Sequence, residues 1–317
     1  MRTRHTRRWS TALVIAVAAL LIASGCGHSV AERTSGIKGD SPELVFVAVP
    51  SLQPANLQQG YQPILKMLRA ETGEEIRLQY ATDYAAVVTG LRQGKIHVAA
   101  LGPLSYVIAK RQGAQITLVA AQAKEKVQHP EYHSSGITAA DSPIKTIGDF
   151  RGKRICFSDR YATSGYLYPA AGLVAAGIQL EHDITPIFAG GDDASVLAVA
   201  NGQCDAGFAF DSLVERGLIE QHQIQPGKIV TVWESPPIPG GPIVIANSLA
   251  PRLRQRLTTA LQQHANADYL RAHGFCQGEC AIADYDTYGY VAVEDSFYDS
   301  VRAVCGVPQL QPICRQG

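Results

Sequence analysis

The sequence has no net charge: 28 basic and 28 acidic side chains cancel. This removes the broad basic face that nucleic acid or an acidic membrane surface would need, so a charged ligand must be met by local groups. Common catalytic signatures are also missing. There is no glycine-lysine phosphate loop, no GxGxxG opening a helix after a strand, no GxSxG elbow and no HExxH pair. The apolar run TALVIAVAALLIA is too short for a comfortable transmembrane helix. The cysteines do not form paired CxxC units, so a four-cysteine zinc site at the C-terminus is the weaker reading of them. His129 and His133 in HPEYH are four residues apart, but Pro130 spoils a shared helical face for a metal. No metal or cofactor is expected.

What is present begins with an export signal. MRTRHTRRWS is a basic n-region, the apolar run follows, and the small residues end at Cys26. Ala23-Ser24-Gly25-Cys26 resembles the bacterial lipobox. That likeness implies a signal peptide over 1–25, cleavage before Cys26 and a lipid on its sulfur, with an uncleaved anchor or a plain secreted protein as the alternatives. Arg7-Arg8 leaves twin-arginine export open beside the general route. Residues 26–42 are small and polar, as a flexible tether would be. The expected location is the outer face of the cell membrane, or the periplasm.

Six cysteines then remain: Cys156, Cys204, Cys276, Cys280, Cys305 and Cys314. An even number in an exported chain reads as disulfides, with fifteen connectivities open. Four of them crowd the C-terminal region and should staple it with two bridges. Cys156 and Cys204, on strand-like runs of one central segment, make the natural third.

With 317 residues, 46% hydrophobic and 18% charged, the chain can bury a large core in one large domain or two ordinary ones. Strand-length apolar runs alternate with helix-length ones: LVFVAVP, EIRLQY, HVAALG and ITLVAAQ first, then KRICFSD, TPIFAG and CDAGFAF. Alternation of this kind argues for an α/β protein whose mostly parallel sheets are flanked by helices. SSGITAAD and ESPPIPGGPIVIAN read as two crossings, which predicts lobe 1 from 43–138 plus 240–317 and lobe 2 from 139–239. Helical patterns from Pro251 to about His273 and from about Tyr288 to Val304 should pack back on lobe 1.

In open parallel sheets a ligand sits beyond the carboxyl ends of the strands. After KRICF come Ser158 to Gly165 and then a helix, so Thr163, Ser164 and Gly165 stand where unpaired N–H groups make an anion cradle, with Arg160 at hand. The same Thr163 and Ser164 serve equally as a simple N-cap. Gly190-Gly191-Asp192 and Asp211-Ser212 end the next two strands. Pro50-Ser51, Thr82-Asp83-Tyr84 and Gly102-Pro103 with Tyr106 face them from the other lobe. Acids at helix starts are otherwise dipole complements. The KEKVQHPE run reads as a solvated loop, and His182 as exposed or structural rather than as a base for Ser164.

From about Leu44 to Asn247 the chain resembles the phosphate, phosphite and phosphonate substrate-binding proteins of ABC transporters, the PhnD-type group. The resemblance rests on TDYAAVVTGLRQGKIHVAALGPLSYVIA, DSPIKTIGDFRGKRICFSD, ATSGYLYPAAGLVAAGI, DDASVLAVANGQCDAGFAFDS and SPPIPGGPIVI, all in the family's order. It implies a two-lobed, type II periplasmic-binding-protein fold without catalytic turnover, closing on a small oxyanion and serving, as a monomer, an ABC permease and its ATPase. Thr163 and Ser164 would bind oxyanion oxygens, and Tyr84 and Tyr106 would reach the ligand from the opposite lobe. Two positions depart from the family pattern: Ala162 replaces a serine, and Asp192 replaces a histidine. Asp192 either accepts from a hydroxyl or ammonium group on a larger ligand, or accepts from a protonated oxygen of a monoanion. A sensory binding protein feeding a membrane receptor, or a phosphate-ester hydrolase using Thr163 or Ser164, are the alternative functions.

Overall fold

The computed structural model describes residues 43–126, 130–278, 280, 282–283 and 287–315. The signal segment, Cys26, the tether and His129 lie outside the described residues. The chain starts as a run of βα units: β1 (Leu44–Ala48), α1 (Pro54–Thr72), β2 (Ile76–Tyr80), α2 (Tyr84–Arg92), β3 (Val98–Ala100), α3 (Pro103–Arg111) and β4 (Ile116–Ala123). Proline opens α1 and α3, where its missing N–H costs nothing. Gly73 closes α1 at φ 70°, its N–H bonding the Arg69 carbonyl. A two-residue strand, β5 (Glu131–Tyr132), leads into β6 (Ser134–Ala139). The second set of units follows: β7 (Arg154–Phe157), α4 (Tyr168–Ala175), β8 (Thr185–Phe188), α5 (Asp192–Ala200), β9 (Ala206–Phe210) and β10 (Ile229–Glu234). The chain returns through β11 (Ile238–Pro239) and β12 (Pro242–Ala246) and contributes β13 (Gly289–Val291) late.

Two sheets result, in the orders β13-β4-β12-β3-β1-β2 and β10-β6-β9-β7-β8. In the first, β1 runs parallel to β2 and β3, while β12 is antiparallel to β3 and β4. In the second, β7 is parallel to β8 and β9, and β6 is antiparallel to β9. Every residue of β9 and of β12 is buried, as interior strands between helix layers must be. This is the two-lobed α/β architecture that the alternating pattern predicts.

Three readings need correction. Ser134–Ala139 is not a crossing but an interior strand of the second sheet; its β-branched run suits either role, and pairing with β9 and β10 decides. The connection lies just before it, where β5 pairs with β11. The helix from Pro251 is interrupted: after a wide turn at Ala260–His264 the chain breaks at Ala265, and the Asn266 side chain caps a new helix over Ala267–Ala272. The segment near Tyr288 starts not as helix but as β13, an edge strand on β4, with the helical part following from Asp295 to Gly306.

The C-terminal region does return to the first sheet. There Gly60 of α1 lets the Ala283 backbone approach so closely that a Cβ would fall 2.2 Å from its carbonyl oxygen. The cysteines pair Cys156–Cys204, Cys276–Cys280 and Cys305–Cys314. The first joins β7 to the turn after α5, and the other two close short C-terminal loops.

Candidate functional site

The carboxyl ends of both sheets face one cavity of about 80 Å³. At ~10–15 Å³ of centre space per water-sized group, it holds roughly five to eight such groups. Its second-lobe wall is the turn after β7. Ala162 stands as N-cap in extended conformation, and Thr163–Leu167 wind as a π-turn in which the Leu167 N–H returns to the Ala162 carbonyl. A π-turn at a helix start widens the ring of N–H groups that lack intrahelical partners. The turn is anchored from behind, because the Ser134 hydroxyl donates to the Ser164 carbonyl at 2.6 Å. Gly165 lies against Ser158, where a Cβ would sit 1.6 Å from the hydroxyl oxygen and 3.1 Å from the Asp192 carboxylate. Glycine therefore lets the acid approach the cradle itself.

Thr163, Ser164, Ala162, Tyr84, Asp192 and Asp211 all line the cavity. The Thr163 hydroxyl accepts the Leu104 N–H at 2.9 Å, which leaves its proton for donation to an anion. Gly165 supports the cradle rather than lining it. Tyr106 does not line the cavity: it is buried in the first lobe, its ring 5.0 Å from that of Tyr298 and its hydroxyl donating to Asp295. Burial and the Asp295 carboxylate push its pKa far up. Its place on an α3 face turned toward Tyr298 explains the difference. Arg160 also points elsewhere, its guanidinium 4.1 Å above the Phe188 ring on another face of the second lobe. Among the described residues no imidazole and no guanidinium lines the cavity. A serine or threonine nucleophile there would lack a histidine base.

Three further cavity residues were not singled out from the sequence: Tyr61, Tyr132 and Lys124. Tyr61 sits on α1 after a proline-opened start, Tyr132 in the short β5, and neither follows a motif. Lys124 opens the KEKVQHPE run read as a solvated loop. It leaves the end of β4 and its ammonium lies 2.8 Å from the Asp211 carboxylate. That carboxylate also accepts the His133 and Ser212 N–H groups. The same lining carries Glu131, so three carboxylates stand against one ammonium.

Around the cavity the two lobes are joined by side-chain bonds from the first lobe, Lys124 to Asp211 and the Ser105 hydroxyl to the Tyr161 carbonyl at 3.2 Å, and by a set of bonds from its main chain. The Asp192 N–H donates to the Ser51 carbonyl at 2.7 Å, and the Gln53 N–H donates to the Asp193 carboxylate at 2.7 Å. The Tyr84 N–H, at the start of α2, donates to the Asp159 carboxylate. With the Leu104–Thr163 bond these make four clasps through first-lobe main-chain groups. Burial raises the pKa of Asp159 against the opposing pull of its N–H donors, with Asp83 adding like-charge repulsion. Burial likewise raises Asp193 despite its N–H partners.

A family model described as ABC transporter, phosphonate, periplasmic substrate-binding protein matches residues 46–298. The chain is 38% identical over 316 residues to the phosphate-import protein PhnD of Mycolicibacterium smegmatis, covering 97% of this chain and 98% of that protein. It is 30% identical over 220 residues to a phosphonates-binding periplasmic protein of Escherichia coli, with 68% and 64% covered. Among solved structures, a binding protein component of an ABC phosphonate transporter from Pseudomonas aeruginosa superposes with a TM-score of 0.72 at 24% identity, covering 83% of this chain and 85% of that one. PhnD1 of Prochlorococcus marinus in complex with methylphosphonate gives 0.72 at 19% identity, covering 84% and 98%. At those identities the structural matches speak for the fold alone.

Proposed function

Because this chain belongs to the periplasmic phosphonate-binding proteins of ABC transporters, we propose that its cavity holds a small phosphorus oxyanion as the singly protonated species. Membership makes it a carrier rather than an enzyme. The size of the cavity suits phosphate, phosphite or a short phosphonate. The observation that carries the reading is that Asp192 lines the same cavity as the cradle residues Ala162, Thr163 and Ser164. A carboxylate in the wall of so small a cavity repels a fully ionised group but accepts a hydrogen bond from a P–OH. That placement favours the protonated-oxygen role for Asp192 over contact with a distant substituent. The N–H groups of the π-turn and the Thr163 hydroxyl donate to the ionised oxygens.

The test is calorimetry across pH. Wild-type affinity for ethylphosphonate, whose dianion keeps no P–OH, should fall as pH rises past its second ionisation (near pH ~6 for a phosphate monoester), affinity for phosphate, whose dianion keeps one, should fall far less, and sulfate should bind poorly throughout. Asp192→Asn should flatten that dependence and admit sulfate, with a gain of roughly ten- to hundredfold, the worth of a charge-assisted hydrogen bond. Unchanged sulfate rejection in the variant overturns the role of Asp192.

The delivery route extends the same reading: cleavage before Cys26, a lipid on its sulfur, and presentation of the closed form to a permease and its ATPase. We place the lobe boundaries near 133 and 240, a reading that the β5–β11 pairing supports. Loss of membrane association in Cys26→Ala, with ligand binding intact, tests the anchor.

A further inference from the structure

We infer that Lys124 is a specificity residue: it supplies the cavity with its own ammonium and thereby excludes ligands that carry one. This rests on the oxyanion reading above and adds the class of substituent the site rejects. Lys124 and Asp211 leave the ends of strands in different sheets, β4 and β9, and meet at 2.8 Å across the cavity wall. The carboxylate is fixed before any ligand arrives, since it holds the His133 and Ser212 N–H groups at 3.1 and 2.8 Å. The Asp211 side chain is 10% exposed and that of Lys124 32%, so the pair is partly shielded from water and its geometry is tied to the closed arrangement.

Three carboxylates in one small cavity would by themselves attract a cationic group on the ligand. Lys124 is the one cationic side chain in that lining among the described residues, and it already occupies the Asp211 carboxylate. An aminoalkylphosphonate would have to displace this ammonium or place a second one beside it, and both outcomes cost affinity. A ligand with a neutral substituent, or none, leaves the pair intact and gains from a positive charge in its own cavity. Lys124 thus selects against zwitterions while helping to hold an anion.

The test compares two ligands of nearly equal size, ethylphosphonate and aminomethylphosphonate, with phosphate as reference. Calorimetry is run on the mature chain and on Lys124→Met and Lys124→Arg. In the wild type and Lys124→Arg, aminomethylphosphonate should bind at least about tenfold more weakly than ethylphosphonate. In Lys124→Met, with the Asp211 carboxylate released, the ratio should shift by about tenfold or more toward the amine. If Lys124→Met does not fold, the wild-type and Lys124→Arg ratios decide alone. Equal binding of the two phosphonates by the wild type, or a ratio that Lys124→Met leaves unmoved, overturns the assignment while oxyanion binding stands. Absence of binding for phosphate and every phosphonate overturns the oxyanion reading itself.

Discussion

Thr163 holds two jobs with one hydroxyl. Its oxygen accepts the Leu104 N–H across the cavity, and its proton is available to the oxyanion. Thr163→Val keeps the shape but strands a buried N–H, so ligand affinity should drop roughly ten- to hundredfold, while Thr163→Ser should lose far less; calorimetry separates them. Asp193 carries a pH prediction. Its folded pKa is raised by burial, so its contribution to stability is full below the unfolded value of about 3.8 and is lost as pH rises through the folded value. Asp193→Asn should therefore gain stability relative to wild type as pH rises from about 4 to 6. Thermal melts showing the variant losing ground over that range would mean the N–H bonds outweigh the burial. Thr163, Ser164, Asp192 and Asp211 were legible in the sequence because each stands just after a strand, where the fold aims its ends. Lys124 was hidden because a KEK run looks solvated, and nothing local tells that its first lysine turns inward to an acid 87 residues away.

The π-turn at Thr163–Leu167 is the element on which the cradle depends, and its packing tolerance is set at Gly165. Gly165→Ala drives a methyl into Ser158, and overpacking of this kind costs about 1–3 kcal/mol. The melting temperature should fall by several degrees, with partial rescue by Ser158→Gly. A Gly165→Ala variant as stable as wild type would mean that Ser158 does not hold the turn closed. Strands and crossover helices were readable from the alternation of short apolar runs with longer amphipathic ones. β6 and β13 were not, since SSGIT has the β-branched content of a hinge or a strand and YGYVAV is too short to separate from a helix start. Their identity comes from available sheet edges, which are tertiary facts.

At the scale of the whole molecule the two sheets meet around the cavity, and the four clasps mark a closed arrangement. Ligand binding should stabilise it by about 2.7 kcal/mol at a hundredfold excess over Kd. A thermal shift of several degrees together with a smaller radius of gyration in solution scattering checks this. A shift without compaction would argue that the lobes stay closed without ligand. The two-lobed plan was legible because there are two runs of βα units and the second is closed by the proline- and glycine-rich ESPPIPGG. The position of the crossing was not, because only pairing between β5 and β11 fixes it.

The clasps divide unevenly between the lobes. On the first lobe the participants are the Ser51 carbonyl and the N–H groups of Gln53, Tyr84 and Leu104; on the second, three of the four are the side chains of Asp159, Thr163 and Asp193. Backbone atoms survive nearly every substitution except proline at a donor, so at these four contacts the first lobe tolerates drift in its side chains, while Ser105 and Lys124, which cross with their side chains, do not share that tolerance. At the four contacts the second lobe carries the mutational fragility, and a saturation scan should find intolerance concentrated at positions 159, 163 and 193 rather than at 53 or 104.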